Sequence, residues 1–377
     1  MGIFVYILSG RHKNNGVGDI PNLYVIQKKE NRMSRITIIG AGQMGSALTF
    51  PAIENGHEVR LVGTHLDREI IDGLRENNYH KTLKATLYDK IQYYQIEELD
   101  QAMEGADVVI GGVSSFGVDW FGTEILPKLP DGMEVITVTK GLINEEDGTL
   151  TPYPYYWERM LPEGKQLSLN AIGGPCIALK LANHDQTHVA FCGKDRNVLR
   201  KFKKLLATDY YHISLSTDIT GVECAVALKN GYAMATATAI GMEELREDGM
   251  KLFDAQAMLF GQSMKEMSRL LQVVGGNPEN LVHGIGDLYV TVFNGRSRRM
   301  GILLGKGIPY EEAREMLAGE TVEAVVIAKR TARAVRDMAK RGVLKESDYP
   351  LLLHIDDVIS RGKKIQIPWE AFAEEEV

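Results

Sequence analysis

The chain has 377 residues, of which 44% are hydrophobic and 25% are charged. This composition is typical of a folded protein with room for two domains, and it excludes extensive disorder. The formal net charge of −7 argues against general nucleic-acid binding, which requires a basic face. The three cysteines, Cys176, Cys192 and Cys224, lack metal-ligand spacing, so we expect reduced thiols, a cytoplasmic location and no metal site.

The first 32 residues contain one short apolar run, IFVYIL, which is too brief for a membrane span or an ordinary signal-peptide core. Tyr6 stands where a myristoylation motif has Ser or Thr. Met33 then begins MSRITIIGAG, which resembles a natural protein start. We therefore interpret residues 1–32 as an extension or a mis-assigned start, and we expect no stable membrane insertion.

Residues 35–63, RITIIGAGQMGSALTFPAIENGHEVRLVG, have the pattern of a strand, a glycine-rich turn, a helix and a second strand. In the G-x-G-x-x-G motif the first glycine permits a tight turn, and the second lets the backbone approach a pyrophosphate. The third lets the helix pack closely on the strand, and the N-terminus of the helix favours an anion. The predicted cofactor contacts in this turn are Gly40, Gly42, Gln43, Met44 and Gly45.

The end of the second predicted strand bears on the choice of cofactor. An acid about 20 residues after the glycines would bind the ribose 2′-hydroxyl of NAD. Thr64 and His65 occupy this place and Arg68 follows, so NADP is allowed as well as NAD. We predict Thr64 and His65 as cofactor contacts, with an ordinary surface histidine as the alternative for His65.

Further strand patterns are present at 106–115, 133–142, 167–178 and 187–193. Helical patterns separate the strands, which predicts a doubly wound, mostly parallel α/β sheet of the Rossmann type over residues 33–215. Ligands of such sheets bind beyond the carboxyl ends of the strands. Lys140 and the turn Gly174–Pro175–Cys176 are therefore site candidates, and a solvated loop cation is the alternative for Lys140.

The second half of the chain has a different pattern. Residues 221–245 are rich in Ala, Met and other small residues, as in a buried helix that its neighbours pack closely. Later segments repeat apolar residues at helical spacing without a strand pattern, which predicts an all-α domain over residues 216–377. We interpret the basic run LRKFKKLL around Lys203 as the solvated face of a helix.

Lys229 stands in the middle of the apolar, small-residue helix. A buried lysine is costly unless it is paired or functional. Burial or a second cation would lower its pKa toward neutrality, as a general acid/base for a hydroxyl and ketone pair requires. A lysine whose ammonium reaches the surface is the equally weighted alternative.

Several motifs occur together in the order and spacing of the NAD(P)-dependent sn-glycerol-3-phosphate dehydrogenases: GAGQMGSAL, VTKGL, GGPCIALKLA, ALKNGYAMA, GIGDLYVT, GRSRRMGILLGKG and TVEAV. From Met33 to near Ile355 the chain resembles this family. The resemblance implies a Rossmann domain followed by a helical domain, with the active site between them. It also implies NAD or NADP as cofactor, a small phosphorylated substrate and, by analogy, a homodimer.

The resemblance assigns roles to individual residues. Lys229 is similar to the catalytic acid/base of the family, Lys140 to a substrate-contacting lysine that tunes it, and Asp287 to the carboxylate that orients it. The other matches are a substrate-site threonine, an arginine that binds the substrate phosphate and the cofactor, and a cofactor-contacting glutamate: Thr291, Arg296 and Glu323.

The sequence departs from the family pattern at four places. Ser297 stands where the family commonly has Asn, and Cys176 lies in its GPS or GAN turn. Lys180 replaces an acid that usually follows this turn, and Gln262 lies in a segment that is commonly Thr-Arg-Gly. We predict Cys176 and Ser297 as substrate contacts, so a second hypothesis is the dehydrogenation of another polyol or ketose phosphate.

A third hypothesis is a dinucleotide-binding sensor or scaffold without turnover. The joint presence of Lys140, Lys229, Asp287 and Arg296 argues against it, because a binder that performs no chemistry does not need them.

Overall fold

The computed structural model describes residues 33–320 and 322–373, so the predicted extension lies outside the described residues. The strands of this part, β1 to β12, are Arg35–Ile39, Glu58–Val62, Tyr79–His80, Ala85–Thr86, Gln92–Tyr94, Val108–Gly111, Glu134–Thr137, Leu142–Asn144, Leu150–Pro152, Ser168–Gly173, Thr187–Cys192 and Tyr211–Ser216. Its α-helices, α1 to α15, are Gln43–Ala47, Thr49–Glu54, Arg68–Asn77, Leu99–Met103, Val118–Trp120, Tyr153–Met160, Ala178–Ala182, Arg196–Leu206, Ile219–Glu243, Phe253–Val273, Leu281–Phe293, Arg296–Gly305, Tyr310–Met316, Glu323–Lys340 and Pro350–Arg361.

Eight strands form one sheet in the spatial order β12-β11-β10-β7-β6-β1-β2-β5. Every pair of neighbours is parallel except β10 and β11, which are antiparallel. Strand β1 is buried on both faces, because Ile36 and Ile38 belong to one apolar cluster and Ile39 to another. This explains its continuous apolar sequence, and the predicted mostly parallel sheet is confirmed.

The predicted strands are longer than the observed ones. The pattern at 106–115 becomes β6 over Val108–Gly111, and the pattern at 133–142 becomes β7 over Glu134–Thr137. In both places the predicted strand includes loop residues beyond its carboxyl end, among which the β-branched Val113 and Thr139 are buried. The edge strand β12, Tyr211–Ser216, was not among the predicted strands.

Helix α9 is the centre of the second half, and helices α10, α11, α12 and α14 pack around it. A Cβ atom at Gly301 of α12 would lie 2.2 Å from the carbonyl oxygen of Met234, and one at Gly305 would lie 2.0 Å from that of Thr238. Only glycine permits α12 and α9 to approach so closely. The buried, closely packed helix predicted around residues 221–245 is thus observed.

Two residues separate the end of β12 from the start of helix α9. One of them, Asp218, caps the helix by accepting a hydrogen bond from the N–H of Gly221 at 2.8 Å. Its first turns pack on the carboxyl end of β10, where a Cβ atom at Gly173 would lie 2.5 Å from Val222. The helix therefore carries its residues across the edge of the sheet where parallel strands place their ligands. The division of the chain at residues 215 and 216 stays a prediction.

The described part of the second half, residues 219–320 and 322–373, contains helices and no strand. Across the whole described chain, no helix combines the length and the apolar character needed to cross a lipid bilayer.

Candidate active site

The glycine turn follows β1 and leads into α1. Cβ atoms at Gly40 and Gly45 would lie 2.7 Å from Gly112 and 2.0 Å from the carbonyl oxygen of Gly40, so packing within the chain requires both glycines. A Cβ atom at Gly42 would meet nothing closer than 4.0 Å. The chain itself does not require glycine there, whereas a pyrophosphate close to the backbone would.

The N-terminus of α1 has no side-chain cap at Gly42. The first N–H groups of a helix have no acceptor within the helix, so an uncapped N-terminus presents donors to an anion. The residues around Gly42 therefore fit the phosphates of a dinucleotide. Gln43 is exposed and donates to the carbonyl oxygen of Thr82 at 2.9 Å, and Met44 packs on the apolar cluster that includes Ile36.

Two side chains hold the glycine turn at Ala41. Asp67 accepts a hydrogen bond from the N–H of Ala41 at 3.1 Å, and Nε2 of His80 lies 2.8 Å from its carbonyl oxygen. Because Nδ1 of His80 accepts from the N–H of Leu83, Nε2 carries the proton and donates to Ala41. Both backbone groups of Ala41 are thus paired, which fixes the turn. Neither Asp67 nor His80 was predicted as part of the site.

The end of β2 corrects one expectation. Thr64 does not simply replace an acid, because the Asp67 carboxylate reaches this place and accepts from the N–H and the hydroxyl of Thr64 at 2.9 and 2.8 Å. His65 is exposed, with its ring 5.3 Å from that of Trp120. Arg68 is exposed and pairs with Glu97 at the surface. These side chains form a polar border around the end of β2.

Glu323 begins α14 and lies opposite the loop that follows β6. Its carboxylate accepts a hydrogen bond from the hydroxyl of Ser115 at 3.1 Å. This contact joins the helical half of the chain to the carboxyl end of a central strand. The position fits the predicted contact between Glu323 and a dinucleotide bound at that edge.

Lys229 lies on α9 and is 8% exposed. Its ammonium donates to Oδ1 of Asp287 at 2.9 Å and to the hydroxyl of Thr291 at 2.7 Å. Asp287 and Thr291 are four residues apart on α11, so one face of that helix presents both to the lysine. The structure thus excludes the alternative of a lysine that is exposed at the surface.

Lys140, in the loop after β7, reaches the same carboxylate from the sheet side. Its ammonium donates to Oδ2 of Asp287 at 2.5 Å and to the carbonyl oxygen of Gly174 at 2.8 Å. The structure therefore brings together Lys140, Lys229 and the α11 pair Asp287 and Thr291, from three segments that are far apart in the sequence.

The electrostatics differ between the two lysines. Burial and the positive charge of Lys140 hold the pKa of Lys229 below its ordinary value, although the nearby Asp287 carboxylate opposes this shift. Burial also disfavours the charge of Lys140, but its contact with Asp287 outweighs this and raises the pKa of Lys140. The pKa of Asp287 is lowered because the two ammonium groups outweigh the effect of its burial. Lys229 is therefore the lysine of the cluster whose pKa is shifted toward neutrality.

The four departures from the family pattern lie in different environments. Cys176 is half-buried, and burial raises the pKa of its thiol to about 12. The charge of Lys140 lowers this pKa, and that of Asp287 raises it. Ser297 is buried at the start of α12. Lys180, however, is exposed and pairs with Asp185 at 2.8 Å.

Gln262 is buried and donates to Glu266 at 2.8 Å within α10. The side chains of Lys180 and Gln262 are therefore paired within the chain, with Asp185 and Glu266.

Arg296 is the first residue of α12, directly after Gly295, whose φ is +94°. Its side chain is exposed, and among the described residues it has no hydrogen-bond or ion-pair partner. It lines a cavity of about 320 Å³ together with Phe293, Asn294, Gly295, Arg298 and Arg299. This cavity contains three guanidinium groups and no carboxylate among its lining residues, so it favours an anion.

Glu223 is a further buried carboxyl group that was not predicted. It is 0% exposed, lies six residues before Lys229 on α9, and has no hydrogen-bond partner for either oxygen within the described chain. Burial raises its pKa to about 8, and the charge of Lys140 acts in the opposite direction. At neutral pH this group is therefore mainly a neutral acid near the lysine and aspartate cluster.

Comparison with known proteins places this site in a family. Residues 35–199 match the N-terminus, and residues 218–370 the C-terminus, of NAD-dependent glycerol-3-phosphate dehydrogenase. The chain belongs to this family. It is 34% identical over 333 residues to an NADP(+)-dependent glycerol-3-phosphate dehydrogenase of Archaeoglobus fulgidus. The aligned residues cover 88% of this chain and 96% of the relative. It is 30% identical to a glycerol-3-phosphate dehydrogenase [NAD(P)+] of Bacillus mycoides over 89% of this chain and 94% of the relative.

Solved structures of the family share the fold. A glycerol-3-phosphate dehydrogenase from Plasmodium falciparum has a TM-score of 0.76 and 19% identity, and it covers 92% of this chain and 96% of its own. One from Coxiella burnetii has a TM-score of 0.73 and 23% identity, over 90% and 98% of the two chains. The predicted family, the fold class and the class of enzyme, an oxidoreductase that uses a nicotinamide dinucleotide, are confirmed.

Proposed function

We propose that this chain catalyses the reversible oxidation of sn-glycerol 3-phosphate to dihydroxyacetone phosphate, with Lys229 as the general acid/base. The observation that supports this most is the buried ammonium of Lys229, held 2.9 Å from Asp287 and 2.7 Å from Thr291, with Lys140 on the other carboxylate oxygen. Membership of the family supports the substrate and the cofactor class.

The glycine turn and the N-terminus of α1 would hold the pyrophosphate of the cofactor, and Glu323 would contact it from the helical half. When bound, the dinucleotide supplies or accepts the hydride. The paired backbone groups of Ala41 keep the turn in one conformation before the cofactor arrives. This preorganisation reduces the conformational entropy that binding would otherwise remove.

Lys229 moves the proton. In the reducing direction its ammonium would give a proton from Nζ to the carbonyl oxygen of the substrate, and in the oxidising direction neutral Nζ would take the hydroxyl proton. The hydroxyl of Thr291 donates to the backbone carbonyl of Asp287 at 2.7 Å, so its lone pair is free to hold the ammonium. Lys140 stays charged and would stabilise negative charge on the substrate oxygen.

Arg296 would bind the substrate phosphate. Its guanidinium is unpaired within the described residues, and it stands at the N-terminus of a ten-residue helix. Both features favour a phosphate, the first by two parallel hydrogen bonds and the second by the helix dipole. Binding energy from the phosphate would then serve to orient the carbonyl carbon.

We propose NADP as the preferred cofactor. Arg68 is exposed at the end of β2, its ion pair with Glu97 is at the surface and therefore weak, and it is free to turn to a 2′-phosphate. The Asp67 carboxylate is occupied by Ala41 and Thr64, so it is not available for a ribose hydroxyl. The name of the Archaeoglobus fulgidus relative agrees with this preference.

We also propose a cytoplasmic homodimer. Its free thiols at Cys176, Cys192 and Cys224 support a reducing compartment. Helix α11 exposes an apolar stripe, Val282, Tyr289 and Phe293, which are 63%, 59% and 62% exposed. Monomers rarely expose large apolar groups in contiguous patches, so a second copy would cover this stripe. Sedimentation of the wild type and of a Tyr289→Ser/Phe293→Ser variant would test it, because the variant should be monomeric.

The first experiment follows the absorbance of NADPH or NADH with dihydroxyacetone phosphate and a panel of longer phosphorylated ketoses. We expect turnover with dihydroxyacetone phosphate that falls by on the order of 10²-fold or more in Lys229→Met. Lys180→Met, which removes an exposed lysine that pairs with Asp185, is the matched control and should keep its activity. Preference for a longer ketose phosphate would replace the proposed substrate, and dinucleotide binding without any turnover would favour the sensor hypothesis.

A further inference from the structure

A second polar cavity lies at the amino ends of β1 and β2. It has a volume of about 360 Å³, and its polar lining residues are Ser34, His57, Asn197, Arg200, Lys201 and Lys204. Ser34 precedes β1 and His57 precedes β2, while the other four residues lie on one face of α8. The five residues of β1 separate this cavity from the glycine turn by about 16 Å or more. The cavity is therefore on the edge of the sheet opposite the candidate active site.

His57 forms the buried part of this cavity, since it is only 6% exposed. Its Nδ1 accepts a hydrogen bond from the N–H of Ser34 at 3.3 Å, so in the neutral ring the proton is on Nε2. Nε2 is buried and has no partner within the described chain. A buried N–H donor without an acceptor is costly, so an acceptor that is not part of the chain, either water or a ligand, would stabilise this group.

The rim of the cavity is cationic. Arg200 and Lys204 are four residues apart on α8, both are exposed, and neither forms an ion pair within the described residues. The only hydrogen bond of Arg200 to a described residue goes to Oδ1 of Asn197 at 3.1 Å, which leaves most of its five N–H donors unused. Two cations without an ion-pair partner in the described chain therefore line the same cavity as His57.

The acidic groups near the cavity are already engaged. Lys201 pairs with Glu134 at 2.7 Å, and the Asp107 carboxylate accepts from the N–H of Arg35 at 2.8 Å. Burial lowers the pKa of His57, and the charge of Asp107 opposes this only in part, so the ring is neutral and donates through Nε2. The unpaired groups that face the cavity are thus donors and cations.

We propose that this cavity is a second, non-catalytic binding site for a small phosphorylated molecule. A phosphoryl group supplies the acceptors that Nε2 of His57, Arg200 and Lys204 need, and it neutralises the two free cations. The cavity volume of about 360 Å³ also leaves room for an organic group or a second phosphate on the same molecule. The basic face of α8 around Lys203 would then be more than a solvated surface.

The test uses the full chain labelled with ¹⁵N-histidine, since the Nε2 signal of His57 reports on this cavity and not on Arg296. The signal is assigned by its absence in His57→Gln. Titration with orthophosphate and with pyrophosphate should shift it in a saturable manner, whereas chloride at equal ionic strength should not. In Arg200→Ala/Lys204→Ala the dissociation constant should rise at least about tenfold, because two charge-assisted contacts are lost.

Arg196→Ala is the control, because it removes one positive charge from the same helix at a residue that does not line the cavity. It should leave the dissociation constant within about twofold of the wild type. Both variants, Arg200→Ala/Lys204→Ala and Arg196→Ala, should keep normal turnover because the changed residues lie far from Lys229, and this turnover shows that the variants are folded. The proposal is overturned if neither phosphate shifts the signal, if chloride shifts it equally, or if the double variant binds as the wild type does.

Discussion

Lys140 and Lys229 bind the two oxygens of one carboxylate, with Nζ of Lys140 2.5 Å from Oδ2 of Asp287 and Nζ of Lys229 2.9 Å from Oδ1. Two cations therefore share a single anion in a buried site. The cluster cannot satisfy both ammonium groups equally, and the one with the lowered pKa is Lys229. The acid/base properties of Lys229 thus depend on its two neighbours, and each neighbour can be changed separately.

Lys140→Met and Asp287→Asn should shift the pH profile in opposite directions. Loss of Lys140 removes a repelling charge and leaves Asp287 to Lys229 alone, so the pKa of Lys229 rises. Loss of the Asp287 charge leaves two buried cations uncompensated, so the pKa of Lys229 falls further. In the oxidation of glycerol 3-phosphate, kcat rises with pH as Lys229 loses its proton. This rise should move up by about one pH unit or more in Lys140→Met, and down in Asp287→Asn. A shift of both variants in one direction would contradict the shared-carboxylate account.

Arg296→Ala should weaken the binding of phosphorylated substrate. We expect the KM for dihydroxyacetone phosphate to rise by about 10- to 100-fold, because a charge-assisted hydrogen bond contributes about 1.5–3 kcal/mol. Arg296→Lys should recover part of the loss, since it keeps the charge and loses the bidentate geometry. Turnover of unphosphorylated dihydroxyacetone should not change. The matched control is Arg314→Ala, which removes an exposed arginine paired with Glu311. An equal loss with both substrates would show that Arg296 does not act through the phosphate.

Arg68→Ala should reduce discrimination between the two cofactors. If Arg68 binds the 2′-phosphate, kcat/KM for NADPH should fall by about tenfold or more, while that for NADH stays within about twofold. Arg75→Ala, on the same helix and also paired with a surface glutamate, should affect neither cofactor. Steady-state kinetics with NADPH and with NADH as the varied cofactor provides the comparison. Equal losses for NADPH and NADH would place the discrimination elsewhere.

Glu223→Gln should change how stability depends on pH. The pKa of Glu223 is raised from 4.5 to about 8, so the native state binds a proton that the unfolded state releases between these pH values. The unfolding free energy of the wild type therefore loses about 1.4 kcal/mol per pH unit from this group as the pH rises from 5 to 8. Urea unfolding at several pH values should show a flatter dependence in Glu223→Gln.

The control is Glu146→Gln, which changes an exposed glutamate. Its free energy of unfolding should depend on pH as that of the wild type does. An unchanged dependence in Glu223→Gln would mean that a water or a nearby donor satisfies the ionised carboxylate.

The parts of the site that the sequence predicts are those with a local signal. The glycine turn is recognised from spacing within one short segment, and the burial of Lys229 follows from its small, apolar neighbours. The contacts of Ala41 with Asp67 and His80 join residues 26 and 39 positions apart, so no local pattern indicates them. Glu223 could have been predicted from the sequence. It stands in the same apolar, small-residue helix as Lys229, and a buried acid, like a buried lysine, is costly unless it is paired or functional. The ends of β6 and β7 were placed too late because β-branched loop residues such as Val113 and Thr139 continue the strand pattern.

Gly301 and Gly305 set more than the packing of two helices. Helix α12 begins at Arg296 and lies against α9 through backbone contacts at Met234 and Thr238, and α9 carries Lys229. In the proposed function Arg296 binds the phosphate and Lys229 the carbonyl oxygen, so the contact between the two helices fixes the separation of the main-chain positions that carry them. A substrate of another length would then have to be reached by rotation of these two side chains, and that of Lys229 is buried and bonded to Asp287 and Thr291.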